Sequence, residues 1–457
     1  MKKGTGKYQI RQADNARDAA LYALCRILEE DCRSDRAVAE ALELAPELSR
    51  LDRAFLLRLV NGCLERLVSI DHLVDRFSTR ALTRLSPMVR CILRMSVYQI
   101  LYMDKVPDSA ACSEAVRLTA LHGMPYYKGY VNAVLRTMVR EKESGSDAFA
   151  FTEDWLKYSV PAWLYKKLSE DFGPERAAAL GSAWLEPKEV LLRLVKKNGS
   201  REELESLMKG QGAELVPVDM EAYLGENGLS RPDGPLPVIY RLQKPGELPL
   251  QEMDAFRKGL FYVQDPASAL VVSYAGLKKD DVVTDVCAAP GGKVLFAAEL
   301  LEEAGGGRIE ARDLSVHKTE LIRENAERLG ISNIGIRVLD ALQEEEESYY
   351  RSDVLLADLP CTGLGIAAGK PDIKLQLKPY SIDELSELQR DILSVVSKYV
   401  KPHGRLVYST CTVTREENEE NVLWAAENLG FAVLSMNRIW PAKGQDGFFI
   451  AVLEKNY

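Results

Sequence analysis

No apolar run in the 457 residues approaches membrane-spanning length, which excludes a helical membrane span and leaves a soluble, cytoplasmic protein as the expectation. No apolar segment follows the basic start Met1-Lys2-Lys3-Gly4-Thr5-Gly6-Lys7, so a secretory signal is not expected. The eight cysteines include no Cys-x-x-Cys pair, and His317 and His403 match no ligand spacing. That argues against a disulfide framework and against a metal site, and it predicts reduced thiols. Neither a G-x-x-x-x-G-K-[ST] loop nor a G-x-G-x-x-G fingerprint occurs, so the two best-defined phosphate-binding signatures are missing. Positive charge is scarce outside the start of the chain. Residues 1–142 carry 23 Lys and Arg against 17 Asp and Glu, whereas the remainder carries 36 against 51. A basic segment on an acidic protein suits an anionic partner for that segment.

What is present reads as several domains, since a chain of this length exceeds a single core. From about 14 to 140 the periodicity is helical throughout. Ala20, Leu21, Leu24, Ile27 and Leu28 share one face, as do Leu56, Leu59, Val60, Cys63 and Leu67. Ser86-Pro87 and Pro107-Asp108 open two further helices. The charged stretch Glu141–Ser146 is a plausible boundary. Beyond it, Glu153–Asp171 and Pro174–Trp184 predict two short helices. Strands near 190–195, 214–218 and 238–242, with a helix opened by the Ser200-x-x-Glu203 capping box, predict a small α+β domain. The domains expected are therefore 1–142, 147–254 and 255–457.

From about 255 strands and helices alternate, with strands near 282–286, 308–312, 334–339, 353–357 and 404–409. This predicts a doubly wound parallel sheet of the Rossmann-like α/β class, edged by an antiparallel pair, 431–435 and 448–454. The stretch Asp285-Val286-Cys287-Ala288-Ala289-Pro290-Gly291-Gly292-Lys293 is then the loop from first strand to first helix, where small residues let a ligand approach the backbone. Asp313 follows the second strand, placed to accept from ribose hydroxyls. Asp340 follows the third, placed to accept from an exocyclic amine. Without a dinucleotide fingerprint, these three successive signals point to a mononucleoside cofactor such as S-adenosylmethionine. The fourth strand ends Asp358-Leu359-Pro360-Cys361 and the fifth Ser409-Thr410-Cys411. Neighbouring strands would bring both thiols to one crevice, a position suited to covalent catalysis. Cys25, Cys63 and Cys91 lie on apolar helix faces and read as core fillers.

The N-terminal stretches Asp52-Arg53-Ala54-Phe55, Leu93–Ile100 and Tyr130–Arg136 resemble the NusB-type RNA-binding domain. Asp285–Lys293, Asp358–Gly363 and Ser409–Thr412, in that order, resemble the RNA cytosine-5 methyltransferase family. Lys370-Pro371-Asp372-Ile373-Lys374, Glu416-Glu417-Asn418-Glu419 and Asp446-Gly447-Phe448-Phe449 match it as well. The joint architecture is similar to that of the RsmB-type bacterial 16S ribosomal RNA methyltransferases. The resemblance spans nearly the whole chain and is weakest over 150–250. It implies S-adenosylmethionine held by Cys287, Ala288, Ala289, Pro290, Gly291, Gly292, Lys293, Asp313, Asp340 and Asp358. It implies Cys411 as the nucleophile, Cys361 assisting product release, and Asp358 and Lys293 near the base. It also implies 16S ribosomal RNA, free or in an assembling small subunit, as the partner of a monomer.

Sequence geometry alone leaves the nucleophile open between Cys361 and Cys411, because related DNA enzymes use the Pro-Cys thiol. Two departures stand out: Ala368-Gly369 replace the family's arginines, and Leu192-Arg193-Leu194-Val195 replaces Leu-Arg-Val-Asn. Both remove polar groups expected to touch RNA. An RNA-binding assembly or antitermination factor with a non-catalytic transferase domain is the competing reading. Amino-group methylation of adenine would want an aromatic Pro-Pro motif where Asp358-Leu359-Pro360-Cys361 stands.

Overall fold

A computed structural model describes residues 13–456; the basic start at Met1–Lys7 lies outside them. The chain divides into two compact units, 1–186 with 367–377, and 187–366 with 378–457.

The first unit is helical. Helices at Ala16–Glu30, Ser34–Glu43, Arg50–Glu65, Leu67–Phe77, Pro87–Tyr102, Asp108–Leu121 and Lys128–Glu143 enclose a core that contains Cys25, Cys63 and Cys91. Asn15 caps the first helix by accepting from Arg17 N and Asp18 N. Ser86 precedes a helix whose first residue is Pro87, but its hydroxyl donates to Met124 Sδ at 3.4 Å instead of capping. Arg94, within one of the NusB-like stretches, is an interior residue. Its guanidinium donates twice to Asp71, both at 2.8 Å, and reaches Glu29 at 3.3 Å. Arg136 and Arg140 are exposed.

The helices after 150 pack with this unit. They are Asp154–Lys157, Ala162–Phe172 and Pro174–Ala183. The first stretch, expected as one helix, is interrupted at Ser159, whose positive φ and following Pro161 end regular hydrogen bonding. The segment Ala367–Leu377 also packs here. Asp372 accepts from Ser34 N (3.1 Å) and Ser34 Oγ (2.7 Å) at the start of one helix, and Lys374 Nζ donates to Glu65 O (3.0 Å) at the end of another. An acid at a helix N-terminus and a cation at a C-terminus complement both dipoles. The Lys-Pro-Asp-Ile-Lys motif is thus an internal fastening of the helical unit.

The second unit begins with a four-stranded antiparallel sheet formed by β1 (Leu191–Leu194), β2 (Glu214–Pro217), β3 (Ile239–Lys244) and β4 (Phe261–Val263), in the order β2-β3-β1-β4. β4 pairs with β1 (Leu194 opposite Phe261), so this sheet closes beyond residue 254. Ser200 Oγ accepts from Glu203 N at 3.2 Å, as the capping box predicts.

The larger sheet has seven strands: β5 (Val282–Asp285), β6 (Arg308–Asp313), β7 (Ile334–Val338), β8 (Ser352–Asp358), β9 (Val400–Thr410), β10 (Phe431–Ile439) and β11 (Phe448–Lys455). Their order is β10-β11-β9-β8-β5-β6-β7. The five strands β5 to β9 run parallel, and β11 inserts antiparallel between β9 and β10. Helices Pro266–Ala275, Gly292–Glu303, Val316–Leu329, Ser381–Val396 and Glu419–Leu429 accompany them. The chain reverses direction across the sheet between β5 and β8. A doubly wound sheet has its ligand crevice there, outside the strands' carboxyl ends.

Candidate active site

The crevice is built from the carboxyl ends of β5, β6, β8 and β9. The loop after β5 folds back on β6. Ala288 N donates to Arg312 O (2.9 Å), Ala289 N donates to Asp313 Oδ2 (3.2 Å), and Cys287 N donates to Asp285 Oδ1 (3.2 Å). Gly291 takes a φ of +111°, a conformation that few side chains tolerate, and starts the helix at Gly292. The loop's amides are thus satisfied within the protein, since Gly291 N also donates to Ala288 O and Pro290 has none, which leaves the amides of the helix's first turn as the backbone donors at the crevice. The Cys287 thiol is pushed up by burial, which leaves its backbone rather than its sulfur as the polar contributor. Asp313 is the last residue of β6 and is buried. Asp340 lies two residues past β7 and is half-buried, its Oδ1 accepting from Leu342 N at 3.0 Å.

Lys293, on the first turn of that helix, reaches across to the next strand. Its Nζ donates to Asp358 Oδ2 at 2.7 Å and lies 4.9 Å from the Phe448 ring centroid. Asp358 is the last residue of β8 and pairs in register with Ser409 on β9, whose hydroxyl donates to Asp358 Oδ1 at 2.7 Å. Just past these two residues the strands release their cysteines, and the Cys361 and Cys411 sulfurs lie 3.3 Å apart. The Cys361 thiol is pushed well up, first by its hydrogen bond with Cys411 and then by burial. Either sulfur can serve as the donor in this contact.

A buried polar clamp holds the two cysteine loops together. Glu417 accepts from Thr362 N (2.8 Å), Thr362 Oγ1 (2.6 Å) and Thr414 Oγ1 (2.6 Å). Asn418 accepts from Thr410 Oγ1, and its amide donates to Thr412 O at 3.2 Å. Gln389 Nε2 donates to Pro360 O at 2.9 Å. Gly365 N donates to Cys411 O at 2.9 Å, and a Cβ on Gly365 would lie 2.2 Å from Gly447 O, so only glycine permits this approach. The sequence motif around Glu417 was visible without its purpose, because partners 28 and 55 residues away give it one.

Asp285 was missed as a site residue. It is 1% exposed, and its Oδ2 has no hydrogen-bond partner among the described residues. Burial first, and then the neighbouring Asp358 carboxylate, raise its pKa to about 7. Its place at the end of an apolar strand, directly before the loop, was the available signal. Of the two sequence departures, Ala368 is buried within the helical unit while Gly369 is exposed, and both Arg193 and Val195 are fully buried.

The donor set suits a nucleoside carrying a cationic amino-acid end. Small residues leave room for the adenosine, acids stand at the ends of β5 and β6, and one buried carboxyl oxygen is unmatched. Among the described residues, no three His, Cys, Asp or Glu cluster as metal ligands.

Residues 273–454 match the family model described as 16S rRNA methyltransferase RsmB/F, and residues 14–140 match that of the NusB family. The chain is 32% identical to the probable ribosomal RNA small subunit methyltransferase B of Bacillus subtilis (strain 168), over 96% of this chain and 99% of the relative. The fold is shared with the crystal structure of PH0851, with a TM-score of 0.76 at 24% identity, covering 96% of this chain and 98% of that one. NSun6 from Pyrococcus horikoshii, solved with SFG, superimposes with a TM-score of 0.55 at 26% identity, covering 65% of this chain and 98% of that one.

Proposed function

This chain belongs to the ribosomal RNA small subunit methyltransferase B family, whose members methylate ribosomal RNA with S-adenosylmethionine, and we propose that it methylates C5 of a cytosine in 16S ribosomal RNA. The observation that carries the proposal is the pair of sulfurs 3.3 Å apart beside the Lys293–Asp358 ion pair. When bound, the cofactor supplies an electrophilic methyl group on a sulfonium. The loop Cys287–Lys293 with Asp313, Asp340 and Asp358 would hold it, and Asp285 would face its ammonium.

C5 of cytosine is a weak nucleophile, and addition of a thiolate to C6 turns the ring into an enamine whose C5 can take the methyl group. Cys411 forms that bond through Sγ, with the Cys361 sulfur 3.3 Å away. After transfer, C5 carries both a methyl group and a proton. Loss of the proton returns its electron pair to the C5–C6 bond and expels the Cys411 thiolate. Cys361 assists that second half by aiding removal of the C5 proton, which its sulfur can accept, or by protonating the departing Cys411 sulfur. Asp358, fixed by Lys293 and Ser409, accepts from the N3/N4 edge of the base. The target base must leave its stack to reach this depth.

The helical unit is assigned to RNA contact. A groove of about 1240 Å³ between helices Asp108–Leu121 and Lys128–Glu143 is lined by Lys128, Arg136 and Arg140, together with Asn132. We divide the roles as RNA capture by 1–142 and 147–254 and catalysis by 255–457. The test is transfer of a labelled methyl group to ribosomal RNA followed by mapping of 5-methylcytosine. Label in cytosine C5 of 16S RNA is the expected result. Label on another base refutes the cytosine assignment, and no label leaves the RNA-binding assembly factor.

A further inference from the structure

We infer that Gln264 holds the carboxylate of the cofactor's amino-acid end, an inference that rests on reading the loop Cys287–Lys293 as the S-adenosylmethionine site. Gln264 follows β4 and lies over the first turn of the helix Gly292–Glu303. It is 6% exposed. Its Oε1 accepts from Arg193 Nε at 2.8 Å. Arg193 is fully buried, stacks 4.1 Å over the Phe296 ring and pairs with Glu299 two turns along that helix. Glu299 in turn accepts from Lys196 N at 2.7 Å.

This chain of bonds fixes which end of the Gln264 amide is which. The oxygen is committed to a guanidinium, so the amino end must point away from it. That amino group has no partner among the described residues. It faces the loop: a Cβ placed on Gly292 would lie 3.3 Å from Gln264 Nε2 and 3.6 Å from its Cδ. A buried amide donor left without an acceptor is costly, and native proteins rarely leave one so. Beside it are the first-turn amides of a 12-residue helix, which have no intrahelical acceptor and carry the positive end of its dipole. Two independent sets of donors thus stand beside Gly292, against which the Tyr262 ring also packs (Cε1 3.2 Å from a Cβ placed there). The ligand group that matches them is a carboxylate. Arg193 is compensated by Glu299, so it acts as a positioning residue that aims Gln264.

Calorimetric titration separates this role from a merely structural one. S-adenosylhomocysteine carries the amino-acid end, whereas 5′-methylthioadenosine has the same nucleoside and sulfur without it. Gln264→Ala should weaken S-adenosylhomocysteine by about 10- to 100-fold, as loss of a hydrogen bond to a charged group does, and methylthioadenosine by less than about 2-fold. Gln264→Met, which keeps the packing volume, should show the same split. Equal losses for both nucleosides, or no loss for either, overturn the inference alone. Failure of the unaltered protein to bind S-adenosylhomocysteine overturns the cofactor reading, and the inference with it.

Discussion

Asp285→Asn offers a test in which stability and binding move in opposite directions. The Asp285 carboxyl is buried against Asp358 and Asp313, with Lys293 as the nearby cation, and its pKa rises from 3.8 to about 7. A folded-state value above the unfolded one means that the folded protein holds the proton more tightly. Its contribution to stability is therefore intact below pH 4 and falls away as pH rises towards 7. A gap of this size corresponds to roughly 4 kcal/mol at pH 8. Asn cannot ionise, and its side-chain oxygen can still accept from Cys287 N. Below pH 4 the variant and the parent should melt together, and by pH 5 the variant should already lead by roughly 1–2 kcal/mol. At pH 8 the variant should melt higher, by roughly 10 °C, since about 1 kcal/mol shifts a unit of this size by 2–4 °C. Binding should show the reverse. The parent's affinity for S-adenosylhomocysteine should rise with pH through 7, as the carboxylate becomes available to the ligand ammonium. The variant's affinity should be lower and flat over that window. A difference in melting temperature that is constant from pH 5 to 8 would refute the buried-carboxyl argument. A pH-independent parent affinity would refute the assignment to the ammonium.

Three further outcomes follow from the same structure. Cys411→Ala should abolish methyl transfer and any covalent RNA complex, while Cys361→Ala should accumulate RNA-linked protein on denaturing gels; near-normal turnover by Cys411→Ala would reverse the two roles. Glu417→Gln replaces an acceptor of three short bonds by a group that is half donor, so stability should fall by about 2–3 kcal/mol and kcat should drop, with S-adenosylhomocysteine affinity unchanged by calorimetry. Lys374 is fully buried and burial lowers its pKa to about 7. The unfolded chain therefore binds the extra proton between pH 7 and the ordinary lysine range, stability should rise with pH across that window, and Lys374→Met should flatten the rise in a melting series.

The sequence by itself determined whatever depends on short windows. Helical spacing marked the first 140 residues, apolar runs marked the five parallel strands, and capping chemistry at Asn15 and Ser200 set helix starts. It also placed Asp313 and both cysteines at strand ends, because a doubly wound sheet puts every such end on one side. The tertiary structure alone decided which of these groups touch. The Lys293–Asp358–Ser409 chain, the Glu417 clamp and the Arg193–Gln264 contact join residues far apart in sequence, and no local pattern encodes such pairs. The motif Lys370–Lys374 shows the difference most plainly. It reads in the sequence only as a family match, yet Asp372 and Lys374 lie inside the helical unit, where they meet the terminal backbone groups of two helices.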